Sequence, residues 1–119
     1  MLIDGVWRAN YVLNHPEPFT DMGDPEEFGI IVIQDGLIMG RDPWGSQYSG
    51  KYTLKDSKIH AILDVSAYTP YAQPVFDDLV HPFQLEINGE FNSPDFFSVI
   101  GSVVGTEARN LVVNCRRYF

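Results

Sequence analysis

Apolar side chains recur at every second position along most of this chain, and a period of two excludes a helical fold at the outset. From Gly5 to Leu13, the residues Trp7, Ala9, Tyr11 and Leu13 share one face, while Arg8 and Asn10 take the other. Successive side chains of a strand point to opposite sides, so each such segment has one face that seeks a core. Residues 50–54 set Tyr52 and Leu54 inward against Lys51 and Thr53. Residues 59–68 oppose Ile59, Ala61, Leu63, Val65 and Ala67 to His60, Ile62, Asp64, Ser66 and Tyr68. Phe83, Leu85 and Ile87 alternate with Gln84 and Glu86, and the apolar stretches 27–33, 37–40, 96–104 and 111–116 complete about eight strands. No segment of ten or more residues repeats apolar positions at i, i+3, i+4 and i+7.

Punctuation supports the same reading. Asp35-Gly36 between two apolar stretches is a strong hairpin signal, because primed turns need positive φ and glycine tolerates it. Lys55-Asp56-Ser57-Lys58 reads as a second turn and Asn88-Gly89 as a third. Residues 15–26 carry Pro16, Pro18 and Pro25, and residues 69–81 carry Pro70 and Pro74, so both are loops, the second with room for one helical turn. An open antiparallel meander leaves two unpaired edges, which closure removes. Hairpin-length links favour a barrel over a Greek-key sandwich. The expectation is therefore an all-β, about eight-stranded antiparallel up-and-down barrel, with residues 1–119 forming one domain.

Charge narrows the partners. Sixteen Asp and Glu against eight Lys and Arg leave a net charge of −8, which repels phosphate backbones and anionic lipid. Direct nucleic-acid and membrane binding are thus not expected. No apolar run approaches the roughly 18 residues of a membrane span, and the first residues lack a basic stretch leading into an apolar one. The lone Cys115 precludes an internal disulfide and suits a reducing compartment, so a cytoplasmic location is expected.

Catalytic chemistry has little to build on. His15, His60 and His81 show no metal-ligand spacing; His15 and His81 each precede a proline and read as exposed. Cys115 lies on the inward face with Leu111 and Val113, as a small hydrophobe would. No GxSxG, GxGxxG or P-loop is present. The expectation is a non-enzyme with no cofactor and no metal. Asp21, Asp24, Glu26 and Glu27 in the first loop, and Asp77 and Asp78 in the second, form acidic clusters suited to a basic partner or simply to solvent. Inward Trp7, Tyr11, Tyr52, Phe83 and Phe97 are candidate lining of a small-ligand cavity, or plain core. Val12, Ile62, Ile100, Val104 and Val112 fall on outward faces and are candidates for a dimer interface.

Several short motifs occur in a familiar order: Asp4-Gly5-Val6-Trp7, then Phe28-Gly29-Ile30-Ile31-Val32, Asp35-Gly36, Met39-Gly40-Arg41-Asp42 and Tyr48-Ser49-Gly50-Lys51-Tyr52. In this the chain resembles the GrlR-type negative regulators of type III secretion, over nearly its whole length. The resemblance implies a lipocalin-like barrel and a homodimer that inhibits a helix-turn-helix transcription activator through an acidic surface motif. That motif would fall at Lys55-Asp56-Ser57-Lys58, which carries two positive charges and one negative, so the acidic loops would have to substitute for it. Gly5-Val6-Trp7 also resembles the opening of lipocalins, where the tryptophan packs under a late-strand arginine; Arg116 and Arg117 are the candidates here. The alternative function that this second likeness implies is carriage of a small hydrophobic ligand.

Overall fold

A computed structural model of the chain describes residues 2–13, 28–70, 72, 81–105 and 110–118, with the backbone alone at 12 and 13. Eight strands follow in order: β1 (Gly5–Leu13), β2 (Gly29–Gln34), β3 (Leu37–Arg41), β4 (Ser46–Lys55), β5 (Lys58–Ala67), β6 (Phe83–Glu90), β7 (Phe96–Val103) and β8 (Asn110–Arg117). Each pairs antiparallel with the next, and β8 returns to β1, so the sheet closes into the expected lipocalin-like barrel. There is no helix among the described residues, and none long and apolar enough to cross a membrane.

The turns behave as the residue types require. Asp35 (φ 52°) and Gly36 (φ 83°) both sit at positive φ, as a two-residue primed turn demands. Asp56 (φ 52°) and Ser57 (φ 66°) do the same between β4 and β5. Asn88-Gly89 does not turn. Asn88 continues the β6 ladder opposite His60 and Ile100, and the chain reverses instead at residues 91–95. Burying Phe91 against Trp7 and Phe97 outweighs the local turn preference of Asn-Gly. β4 also starts earlier than its alternation suggests, at Ser46, because Gln47, Ser49 and Gly50 give no apolar signal.

Inward residues form one core. β5 shows the period of two plainly, with Ile59, Ala61, Leu63 and Val65 buried and their neighbours exposed. β8 departs from it, since Val112 and Asn114 point outward yet are buried, beside Asn10 of β1. Ser98 Oγ donates to Asn114 Oδ1 at 2.6 Å on that outer surface.

Strand direction gives the barrel two unlike ends. The links 35–36, 56–57 and 91–95, together with both described chain termini, gather at one end. The link 42–45 lies at the other end, together with the C-terminal ends of β1, β5 and β7 and the N-terminal ends of β2, β6 and β8.

Candidate functional site

The first end is plugged by Trp7. Its ring is wholly buried and meets Phe97 and Phe91 edge-on, with centroids 4.7 and 6.1 Å away. The indole Nε1 donates to the Ile3 carbonyl at 3.0 Å, which draws residues 2–4 across the barrel mouth. Arg117 decides between the two arginine candidates. Its guanidinium lies 4.3 Å from the Trp7 ring centroid and donates to the carbonyls of Leu2 (2.6 Å), Asp4 (2.9 Å) and Pro94 (2.6 Å). Arg116 points outward and stacks on Phe96. A partly desolvated cation over an indole contributes on the order of 1–2 kcal/mol, so this end is a structural closure.

The other end is organised by Asp42, which is 2% exposed. Its Oδ1 accepts from the amides of Trp44 (2.9 Å) and Ser46 (3.0 Å), and its Oδ2 accepts from the Tyr48 hydroxyl (2.6 Å). Three donors satisfy a carboxylate that would otherwise be costly to bury. Tyr48 stacks on Tyr11 at 6.3 Å, Trp44 leans on Tyr11 at 6.1 Å, and Tyr68 Oη donates to the Asp42 carbonyl at 3.1 Å. Gly29 makes room for this stack: a Cβ there would stand 2.6 Å from the Tyr11 hydroxyl and 2.8 Å from the Arg41 carbonyl. Burial, with the Asp42 charge adding to it, pushes the Tyr11 phenol well above its ordinary value. Burial does the same to Tyr48, reinforced by Tyr11 and Asp42. Both phenols are neutral at any physiological pH.

Ser46 Oγ lies 2.6 Å from His81 Nε2, and Asp42 is adjacent, so serine, histidine and aspartate do meet here. They do not form a relay. Asp42 holds the Ser46 amide rather than the imidazole, and Ser46 is fully buried, out of reach of a substrate. His81 is accordingly half-buried, not exposed as its place before a proline suggests, because it bonds Ser46 and stacks on Phe83. His60 is exposed as expected and pairs with Glu86 at 3.0 Å. Among the described residues no group of three or more His, Cys, Asp or Glu could hold a metal ion.

Between the two ends lies an apolar cavity of about 50 Å³, lined by Ile3 below, Tyr11 and Tyr48 above, and Leu85, Phe97 and Cys115 around its wall. Burial raises the Cys115 thiol far above its ordinary range, so it is an inert wall atom. Tyr11 and Phe97 are the two members of the expected lining that reach this cavity. Trp7 belongs to the plug, Tyr52 donates to Asp4 Oδ1 at 3.3 Å, and Phe83 packs on His81. No known family model and no curated protein matches the chain.

The outer surface holds what the interior lacks. Ile30, Leu37 and Met39 are exposed on the outside of β2 and β3, with Val32 opposite Met39 in the ladder. An open groove of about 660 Å³ runs over β4, walled by Leu37 and Met39 on one side and by Ile62 on the other, with Ser49 and Lys51 on its floor. Of the residues expected at a dimer interface, Val12, Val112 and Ile100 fall side by side in the ladders of β1, β8 and β7. Ile62, Ile100 and Val104 are exposed, but Glu86 and Asn88 of β6 stand between Ile62 and Ile100. Val112 is buried within the monomer, and the side chain of Val12 lies outside the described residues. Asp21, Asp24, Glu26, Glu27, Asp77 and Asp78 also lie outside them. Inward faces alone do not reveal the β2–β3 surface. The unbroken run Ile30-Ile31-Val32-Ile33 is its signal, since a strand apolar on both sides leaves one apolar side outside.

Proposed function

We propose that this chain is a non-enzymatic protein-binding barrel that works through its outer surface. The observation that carries the reading is the interior volume of about 50 Å³, all apolar. Pockets that hold drug-sized ligands or cofactors are roughly 300–1,000 Å³, so this volume favours work on the outer surface over carriage of a ligand inside. The exposed Ile30, Leu37 and Met39 supply the complementary half, an apolar surface of the kind used in protein contacts. The likeness to GrlR-type negative regulators supports the same class of function. In that form the barrel is a cytoplasmic homodimer that restrains a transcription regulator by contact.

Cross-linking in the native host, followed by mass spectrometry of the adducts, tests the reading. The expected result is a specific cross-linked protein that disappears when Leu37 and Met39 are replaced by Ser. Recovery of the chain loaded with a lipid or other small molecule, with no protein adduct, would overturn it.

A further inference from the structure

Charge is unevenly spread over the described outer surface, and on three strands it runs against that of the whole chain. Strands β3, β4 and β5 carry four basic side chains, Arg41, Lys51, Lys55 and Lys58, and a single acid, Asp64. All four basic residues are exposed. They make up half of the chain's eight Lys and Arg, in a protein whose net charge is −8. On β6 the sign turns over, with Glu86 and Glu90 facing outward beside His60 and Lys58. The basic strip is thus bounded, with Asp56 in the turn between Lys55 and Lys58; its member Lys51 lines the groove over β4, which Asp64 also lines, and the other three flank that groove. Lys51 rises from the floor of that groove between the Leu37–Met39 wall and Ile62. A second depression of about 410 Å³, lined by Ile30, Met39 and Arg41, continues it across β3.

We infer that this groove receives an acidic amphipathic segment of a partner protein. Apolar side chains of the segment would enter between Met39 and Ile62, and its carboxylates would meet Lys51, Lys55, Lys58 and Arg41. This rests on the protein-binding reading and names the partner's chemistry. Complementary charge raises encounter rates and rejects wrong partners, while the apolar walls exclude water from the contact. Nucleic acid and anionic lipid fit less well. The strip is narrow, the rest of the chain repels polyanions, and phosphates have no use for Leu37, Met39 and Ile62. The groove lies on the face of β3, β4 and β5, each paired on both sides in the closed barrel, so the segment binds by its side chains and not by extending the sheet.

Selection of twelve-residue peptides from a random displayed library against the folded chain is the direct test. Enriched peptides are expected to carry net negative charge with interspersed apolar residues. Their amide perturbations should centre on Leu37–Arg41, Ser49, Lys51 and His60–Asp64. Lys51→Glu combined with Lys58→Glu should weaken them at least about tenfold, as should Met39→Ser with Ile62→Ser, and affinity should fall with added salt. Enriched peptides that are basic, that map to another surface or that ignore these substitutions would overturn the inference while leaving a protein-binding barrel intact. So would self-association of the chain abolished by Met39→Ser, or binding of a single-stranded oligonucleotide or of phosphatidylserine vesicles abolished by the lysine substitutions. An absence of enriched peptides alongside an absence of cross-linked proteins would remove both readings.

Discussion

At the Trp7 end, aromatic rings and one guanidinium close the barrel; at the opposite end a buried carboxylate, Asp42, is the organising group. The first closure needs shape. Trp7, Phe91 and Phe97 fill the mouth, and Arg117 ties residues 2–4 over them through carbonyl oxygens. The second closure needs exact bonding of polar atoms, because Asp42, Tyr48 and Ser46 stabilise the fold only while each has its partner. One end therefore fails by leaving a void, the other by leaving an unpaired buried group.

The largest effect should come from Trp7→Ala. Removing a fully buried indole costs about 3–5 kcal/mol, which urea denaturation would read as a matching fall in midpoint at unchanged slope. A loss below about 1 kcal/mol would mean that Ile3 and Arg117 hold the closed end without the ring. Asp42→Ala should follow, at about 2–4 kcal/mol, since two amides and the Tyr48 hydroxyl lose their acceptor. Equal losses for these two variants would erase the distinction between the ends.

Alkaline pH sharpens the comparison further. Tyr11 and Tyr48 are held neutral in the folded protein, whereas in the unfolded chain they ionise near their usual value of roughly 10. Their stabilising contribution is complete below that value and declines as pH rises beyond it, by about 1.4 kcal/mol per pH unit for each tyrosine. Tyr11→Phe should remove one share of that slope in denaturation curves taken between pH 9 and 12. An unchanged slope would place the alkaline sensitivity elsewhere. The smallest effect is a gain: Val113→Ile adds one methyl group to a wall of the cavity between the ends and should stabilise by about 0.5–1 kcal/mol. A loss would mean that the cavity walls are already in contact.

Much of this was legible beforehand, and the reasons for the exceptions are physical. Alternation marks a strand wherever one face is dry and the other wet, as in β5, and the primed turns follow from Asp35-Gly36 and Asp56-Ser57. Ile59 and Val65 of β5 face the core, and the sheet closes into a barrel, as the alternation and the short links imply. Alternation is silent where both faces are covered, so Asn10 and Val112 read as outward-facing although they are buried. It is equally silent about pairs brought together by closure. Ser46 and His81 are 35 positions apart, and nothing near either one announces the other. Asp42 had a local signal in Asp42-Pro43-Trp44-Gly45, a turn sequence whose side chain caps its own loop. The groove over β4 had none, since it exists because Ser49 is small between taller neighbours on adjacent strands.

The pairing of β1 with β8 also sets a sequence of events in time. Every other ladder joins strands that are neighbours in the chain, whereas this seam matches Trp7 to Arg117 across nearly the full length. Bringing such distant segments together costs roughly 3 kcal/mol more chain entropy than closing a four-residue hairpin. The seam is then the slowest ladder to form and, with Arg117 bonded across it to Leu2 and Asp4, a latch that is set last. Hydrogen exchange during refolding should protect the amides of β4 and β5 before those of β1 and β8.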